Sequence, residues 1–301
     1  MIEKPFQGIR TFCKVGQENY PQLTHAIVGM PTDAATTFRS GTRMAPAAIR
    51  DASLMLTDGT HDRFKVDLRK HVFDTGDVAL TSGNTLKMLE QVETVINNVL
   101  GWDKHPAIIG GDHTITLGIL RAMHKRYGKL AVVHFDAHCD TWNSNFDEPI
   151  GHGTWLFNAI NEGLVDPKKV ISIGIRSPAD DAARNFLDKH GGTTFTARYA
   201  QSNMEAVLTN TKHLIGDIPC YLTFDIDCLD PAHAPGTGTP EIGGLTSMWV
   251  LECLEELQSL NWIGMDCVEV SPPYDHSGIT SLAAATIIWT YLSMAIDRKV
   301  E

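Results

Sequence analysis

Short, almost uninterrupted apolar runs recur along the chain, and most are separated by stretches with helical spacing. Residues 25–31 (HAIVGMP), 105–111 (HPAIIGG), 130–136 (LAVVHFD), 169–176 (KVISIGIR), 219–227 (PCYLTFDID) and 262–270 (WIGMDCVEV) read as strands. Runs with no polar alternation suit strands buried on both faces. Residues 114–128, 203–216, 247–260 and 279–299 read as helices, the first ending at Gly128 and the last closing the chain. Pro46 is expected in the first turn of a further helix. This alternation predicts an α/β fold with a mostly parallel central sheet covered on both faces. No Pro/Ser/Gly tract interrupts it, so residues 1–301 are expected to form a single domain.

Three of these strands end in polar clusters: Gly110-Gly111-Asp112-His113, Asp136-Ala137-His138-Cys139-Asp140 and Asp225-Ile226-Asp227. In open parallel sheets the carboxyl edge is where ligands bind. If residues 136–140 stay extended, Asp136, His138 and Asp140 point to one side and Cys139 to the other. A lone Asp-x-Asp after a strand serves as a turn or a helix cap as readily as a ligand pair. Buried carboxylates need a positive partner, and all three clusters sit at the same edge. The candidate set is His113, Asp136, His138, Asp140, Asp225 and Asp227. Its four carboxylates match two divalent cations in charge. Hard oxygen donors with some imidazole suit Mn²⁺, and zinc also fits the ligand types.

Composition narrows the setting. Of the 301 residues, 43% are hydrophobic and 20% charged, as in an ordinary soluble protein, and the net charge of -11 lacks the basic face that nucleic-acid binding needs. Such a charge mildly favours cationic small molecules. The six cysteines form no CxxC pair and several lie in apolar runs, pointing to reduced thiols and a cytoplasmic location. The opening MIEKPFQGIRTF has no apolar signal core. No apolar run is expected to approach the roughly 20 residues of a membrane span.

The stretches GGDHTITLG (110–118), HFDAHCDT (134–141), GHGT (151–154), TFDIDCLDPAHAPGTGTPEIGGLT (223–246) and EVSPPYDHSGITSLAAA (269–285) resemble the ureohydrolase family of arginases and agmatinases, nearest to its bacterial agmatinase branch. GTRMAPAAIR (41–50) fits the same pattern, except that Ala45 stands where the family commonly has Gly. The resemblance implies a three-layer α/β/α fold, two Mn²⁺ per subunit, and hydrolysis of a guanidino group to urea and an amine. By motif matching, one metal takes His113, Asp136, Asp140 and Asp225 and the other Asp136, His138, Asp225 and Asp227, with Asp136 and Asp225 shared. His152 matches the proton carrier and Glu269 the guanidinium-binding acid. Asp140 is placed to orient the nucleophile. The family's usual assembly implies a homo-oligomer, a trimer or hexamer.

Substrate choice is expected to come from the loop after Asp140, whose Asp147 and Glu148, without Lys or Arg, suit the second positive charge of agmatine. Arg176 is followed by Ser177, Pro178 and Ala179, where arginases carry acids that hold the substrate's α-amino group. The expected reaction is therefore agmatine to putrescine and urea. Guanidinobutyrate or another small guanidino compound comes next, and a formimino or amide metallohydrolase reaction third. Asp230 is expected in a turn, and His134, His233 and His276 receive no role.

Overall fold

The computed structural model describes residues 6–57 and 60–298. Its strands are β1 (His25–Gly29), β2 (Val72–Asp77), β3 (His105–Ile109), β4 (Leu130–Phe135), β5 (Val165–Ile175), β6 (Thr193–Thr196), β7 (Cys220–Asp225) and β8 (Trp262–Val268). They form one eight-stranded sheet in the order β2-β1-β3-β8-β7-β4-β5-β6, and every neighbouring pair is parallel.

Successive side chains along the central strands feed opposite layers, as strand geometry requires. Ala131, Val133 and Phe135 of β4 join a core built with the helices Ala45–Ser53, Met204–Ile215, Ser247–Glu256 and Ile279–Ile296. Leu130 and Val132 join the opposite core, with the helices Thr85–Gly101, Ile115–Tyr127 and Trp155–Asn161. The result is the expected three-layer α/β/α arrangement.

Several elements lie outside the pattern read from the sequence, among them the edge strands β2 and β6 and the helices Thr85–Gly101 and Trp155–Asn161. β5 also starts at Val165, before the apolar run, through the polar Asp166-Pro167-Lys168. The closing helix ends at Ile296, and Lys299 lies outside the described residues. Contrary to the apolar-run expectation, one segment does reach membrane-spanning length. The segment His276–Ile296 is long and apolar enough to cross a membrane, with a mean hydropathy of 1.6. Most of it is buried in the protein, so its apolarity belongs to a helix packed on several sides.

Candidate metal centre

Four adjacent strands, β3, β8, β7 and β4, bring their carboxyl ends together. His113 follows β3, Glu269 follows β8, Asp225 ends β7 and Asp136 follows β4. The glycines of GGDH allow this convergence: a Cβ on Gly111 would stand 2.2 Å from the Thr32 carbonyl oxygen.

The segment 136–140 is not extended. β4 stops at Phe135, and Asp140 adopts a left-handed backbone with φ of 52°. The Asp136 carboxylate accepts the His138 N–H at 2.6 Å through Oδ1, and this Asx-type turn curls the chain inward. Asp225 does the same, accepting the Asp227 N–H at 2.8 Å. The three side chains after β4 therefore converge on a point instead of lying parallel along a face.

All six candidate ligands meet. His113 Nδ1 lies 3.2 Å from Asp136 Oδ2, 3.1 Å from Asp140 Oδ2 and 3.2 Å from Asp225 Oδ2. His138 Nδ1 lies 3.3 Å from Asp136 Oδ1 and 3.0 Å from Asp227 Oδ2. Asp136 thus turns one oxygen to each group. Asp225 turns Oδ2 to the first group and gives Oδ1 to the main chain.

A chain of hydroxyls sets the state of His113. Asp266, buried on β8, accepts hydrogen bonds from Thr116, Tyr221 and Thr223, the last at 2.6 Å. With its proton committed to Asp266, Thr223 Oγ1 accepts from His113 Nε2 at 2.8 Å. That leaves the Nδ1 lone pair for the carboxylate cluster, and Nδ1 is buried with no hydrogen-bond partner. An imidazole lone pair and three carboxylate oxygens aimed at one point form a divalent-cation donor set. His134 donates from Nε2 to Asp136 Oδ2 at 2.8 Å, with Ser172 Oγ 3.0 Å from its other nitrogen. Trp155 Nε1 donates to Asp140 Oδ2 at 2.7 Å. These outer partners are the kind that orient metal ligands.

The electrostatics point the same way. Burial opposes charge on His113 and His138, yet the surrounding carboxylates outweigh it and hold both rings well above the ordinary imidazole range. Burial together with Asp227 and Asp136 pushes Asp225 well above its ordinary value. Burial would raise Asp136 too, but its imidazole neighbours hold it well below. A cluster that gathers protons to balance four buried carboxylates fits divalent metal in their place.

Beside this cluster, Glu269 Oε1 accepts the His113 main-chain N–H at 2.8 Å and lies 3.0 Å from His152 Nδ1. Oε2 is buried and has no partner. Glu269 also holds a left-handed backbone with φ of 64°, a strain that a functional site can carry. Burial raises Glu269, but the adjacent His152 ring brings it below its ordinary value. Burial likewise opposes charge on His152, while Glu269 and the nearby carboxylates raise it to about 9.

A cavity of about 280 Å³ opens above the cluster, lined by His152, Asp140, Trp142, Asn145 and Phe146 among others, with no Lys or Arg. A second cavity of about 590 Å³ adjoins it across Thr37, Asn145 and Phe146. Glu148 lines the second cavity and Asp147 neither, so the acids expected to rim the first cavity do not reach it. They sit on a tight turn in which Asn145 and Glu148 exchange main-chain hydrogen bonds at 2.7 and 3.0 Å, with positive φ at Phe146 and Asp147. That turn presents the Phe146 ring to the mouth.

Arg176, followed by no ligand-holding acids, faces the protein. Its guanidinium donates to the carbonyls of Asp227, Cys228, Leu229 and Glu241 and so clamps the turn after β7. Asp230 sits in a turn as expected, accepting from the N–H groups of Ala232, Gly243 and Gly244.

An all-parallel α/β/α sheet with a buried carboxylate–imidazole cluster at its carboxyl edge defines a metal-site α/β enzyme. The description of the Arginase family matches residues 23–293, and the chain belongs to that family. It is 46% identical over 279 residues to the agmatinase of Edwardsiella ictaluri (strain 93-146), covering 91% of this chain and 88% of that one. Among solved structures, a hypothetical agmatinase from Burkholderia thailandensis superposes with a TM-score of 0.90 at 37% identity, covering 97% of this chain and 92% of that one. The proclavaminate amidino hydrolase of Streptomyces clavuligerus gives 0.88 at 33%, covering 97% and 100%.

Proposed function

We propose that this chain, acting as one catalytic domain, hydrolyses the guanidino group of agmatine to putrescine and urea with two Mn²⁺ ions per subunit. The observation that carries the reading is the pair of donor groups sharing Asp136, set beside a buried Glu269 with one free oxygen. Agmatinases at 43–46% identity over most of the chain support the choice of substrate.

One ion is assigned to His113, Asp136, Asp140 and Asp225, and the other to Asp136, His138, Asp225 and Asp227. When bound, such a pair neutralises the carboxylates and lowers the pKa of water, supplying a nucleophile at neutral pH. The residues do the rest. Glu269 Oε2 accepts guanidinium N–H groups in directed, charge-assisted hydrogen bonds and holds the carbon over the cluster. Asp140 accepts a hydrogen bond from the attacking water and aims it. The departing amine needs a proton, and His152, close to Glu269 at the cavity wall, carries one. A lining without Lys or Arg gives no counter-charge to a substrate with a carboxylate tail, which ranks agmatine above guanidinobutyrate.

We place the enzyme in the reducing cytoplasm, in keeping with six cysteines that are all buried and unpaired, and as a homo-oligomer, a trimer or hexamer, in keeping with the family. The test is urea release by Mn²⁺-loaded protein from agmatine, guanidinobutyrate and arginine side by side. Agmatine is expected to lead in kcat/KM by about tenfold or more, some 1.4 kcal/mol of transition-state preference. A lead by guanidinobutyrate would overturn the substrate, and no urea from any of them would overturn the reaction.

A further inference from the structure

His152 is gripped on both edges. Its Nδ1 lies 3.0 Å from Glu269 Oε1. Its Nε2 receives the main-chain N–H of Thr37 at 3.2 Å and lies 2.8 Å from Thr37 Oγ1. Thr37 comes 115 residues earlier in the chain, so this contact is a product of the fold. The loop that delivers it is closed like a clip. Buried Asp33 accepts the Gly41 N–H at 3.0 Å and Arg43 Nε at 2.6 Å. Thr36 Oγ1 donates back to the Asp33 carbonyl, and Thr42 Oγ1 to that of Thr32. With both loop ends tied, Thr37 has a fixed position against the ring.

The chemistry of the partners fixes the ring's polarity. An ionised carboxylate only accepts, so the Nδ1 edge carries its proton toward Glu269. A main-chain N–H only donates, so it favours a lone pair on Nε2. The Thr37 hydroxyl can do either: it donates to Nε2 when the ring is neutral and accepts from Nε2–H when the ring is charged.

We propose that Thr37 is a positioning residue that keeps His152 in one orientation through both protonation states, with Nδ1 always toward Glu269 and the exchangeable proton on Nε2, beside the Thr37 hydroxyl at the cavity that both residues line. A ring that must gain and lose a proton without turning needs a partner that can reverse its role, and at this position only the hydroxyl does so. The inference rests on the guanidino-hydrolase reading above and adds to it a residue that acts through His152.

The experiment compares Mn²⁺-loaded wild type, Thr37→Val and Thr37→Ser in urea release from agmatine. Val keeps the shape and the main-chain N–H but removes the hydroxyl. It is expected to lower kcat about tenfold, a loss of alignment at an acid–base group, with KM changed less than about twofold; Ser, which restores the hydroxyl, recovers most of kcat. Thermal melts of the loaded proteins control for folding, and Thr37→Ala carries the same comparison if Val does not melt with wild type. Wild-type kcat in the hydroxyl-free variant, an equal loss in Ser, or a rise in KM in place of the fall in kcat would each overturn the inference. Inactive wild type would overturn the parent reading instead, so the two failures are distinguishable.

Discussion

Three aspartates perform the same small act. Asp112, Asp136 and Asp225 each accept the N–H two residues on, at 3.0, 2.6 and 2.8 Å, and each turn swings the chain at the end of a strand. The identity of the clustered residues is legible in the sequence because three such clusters end strands at one sheet edge, where any one alone would read as a turn or a cap. Their geometry is not, because period-two reasoning describes a strand, and an Asx turn ends the strand at its first residue. The outer partners are harder still. Thr223, Asp266 and His134 sit inside apolar strands, look like satisfied core positions, and gain meaning only from neighbours distant in sequence. Thr223 makes the most pointed case, because its hydroxyl commits the His113 proton to Nε2. Thr223→Val keeps the volume and frees His113 to present the wrong nitrogen. It is expected to weaken Mn²⁺ binding by about 10- to 100-fold, read as the Mn²⁺ concentration for half-maximal activity. An unchanged Mn²⁺ requirement would remove Thr223 from the metal centre's support.

The legibility of whole elements follows their burial. Central strands β1, β4, β7 and β8 are buried at every position, so unbroken apolar runs reveal them. Edge strands β2 (VFDTGD) and β6 (TTFT) are partly exposed, and their polar residues hide them. The helix Thr85–Gly101 did leave a signal: an Asn84 cap followed by buried Met88, Leu89, Val92, Ile96, Val99 and Leu100 at helical spacing. What secures β2 is equally invisible in a linear reading. Arg50, on the helix Ala45–Ser53, grips the Asp74 carboxylate with two hydrogen bonds at 2.8 and 2.9 Å and also pairs with Asp77. Arg50 and Asp74 are both buried, and Asp74 further accepts the N–H groups of Phe12 and Gly76. Arg50→Met strands a buried carboxylate and is expected to cost about 3–5 kcal/mol, measured by denaturant unfolding. Adding Asp74→Asn removes the stranded charge and keeps an acceptor for one of the two N–H groups, since Phe12 and Gly76 donate to different oxygens, and should recover much of the loss. Equal instability in the single and double variants would show that shape, not charge, holds this edge.

Across the whole molecule, the fold and the metal centre share one stability problem. Four neighbouring strands end in acidic or imidazole groups at a single buried spot, and without cations that spot must crowd like charges or gather protons. Asp225 shows the tension most clearly: burial, Asp227 and Asp136 all push against its charge. On the proposed reading, cations that bind only the folded chain relieve the crowding, and by mass action free Mn²⁺ at about 1,000 times its dissociation constant would stabilise the fold by about 4 kcal/mol. Chelation is therefore expected to lower Tm, and readdition of Mn²⁺ to restore it. Asp225→Asn separates this linkage from general packing because its two effects have opposite signs. Losing one crowded charge should raise the Tm of the metal-free protein, while losing one ligand should shrink the rise that Mn²⁺ produces. Calorimetric melts of both proteins with chelator and with saturating Mn²⁺ measure all four values. If the wild-type Tm ignores the cation, or Asp225→Asn keeps the full rise, the carboxyl edge of this sheet is not held together by metal.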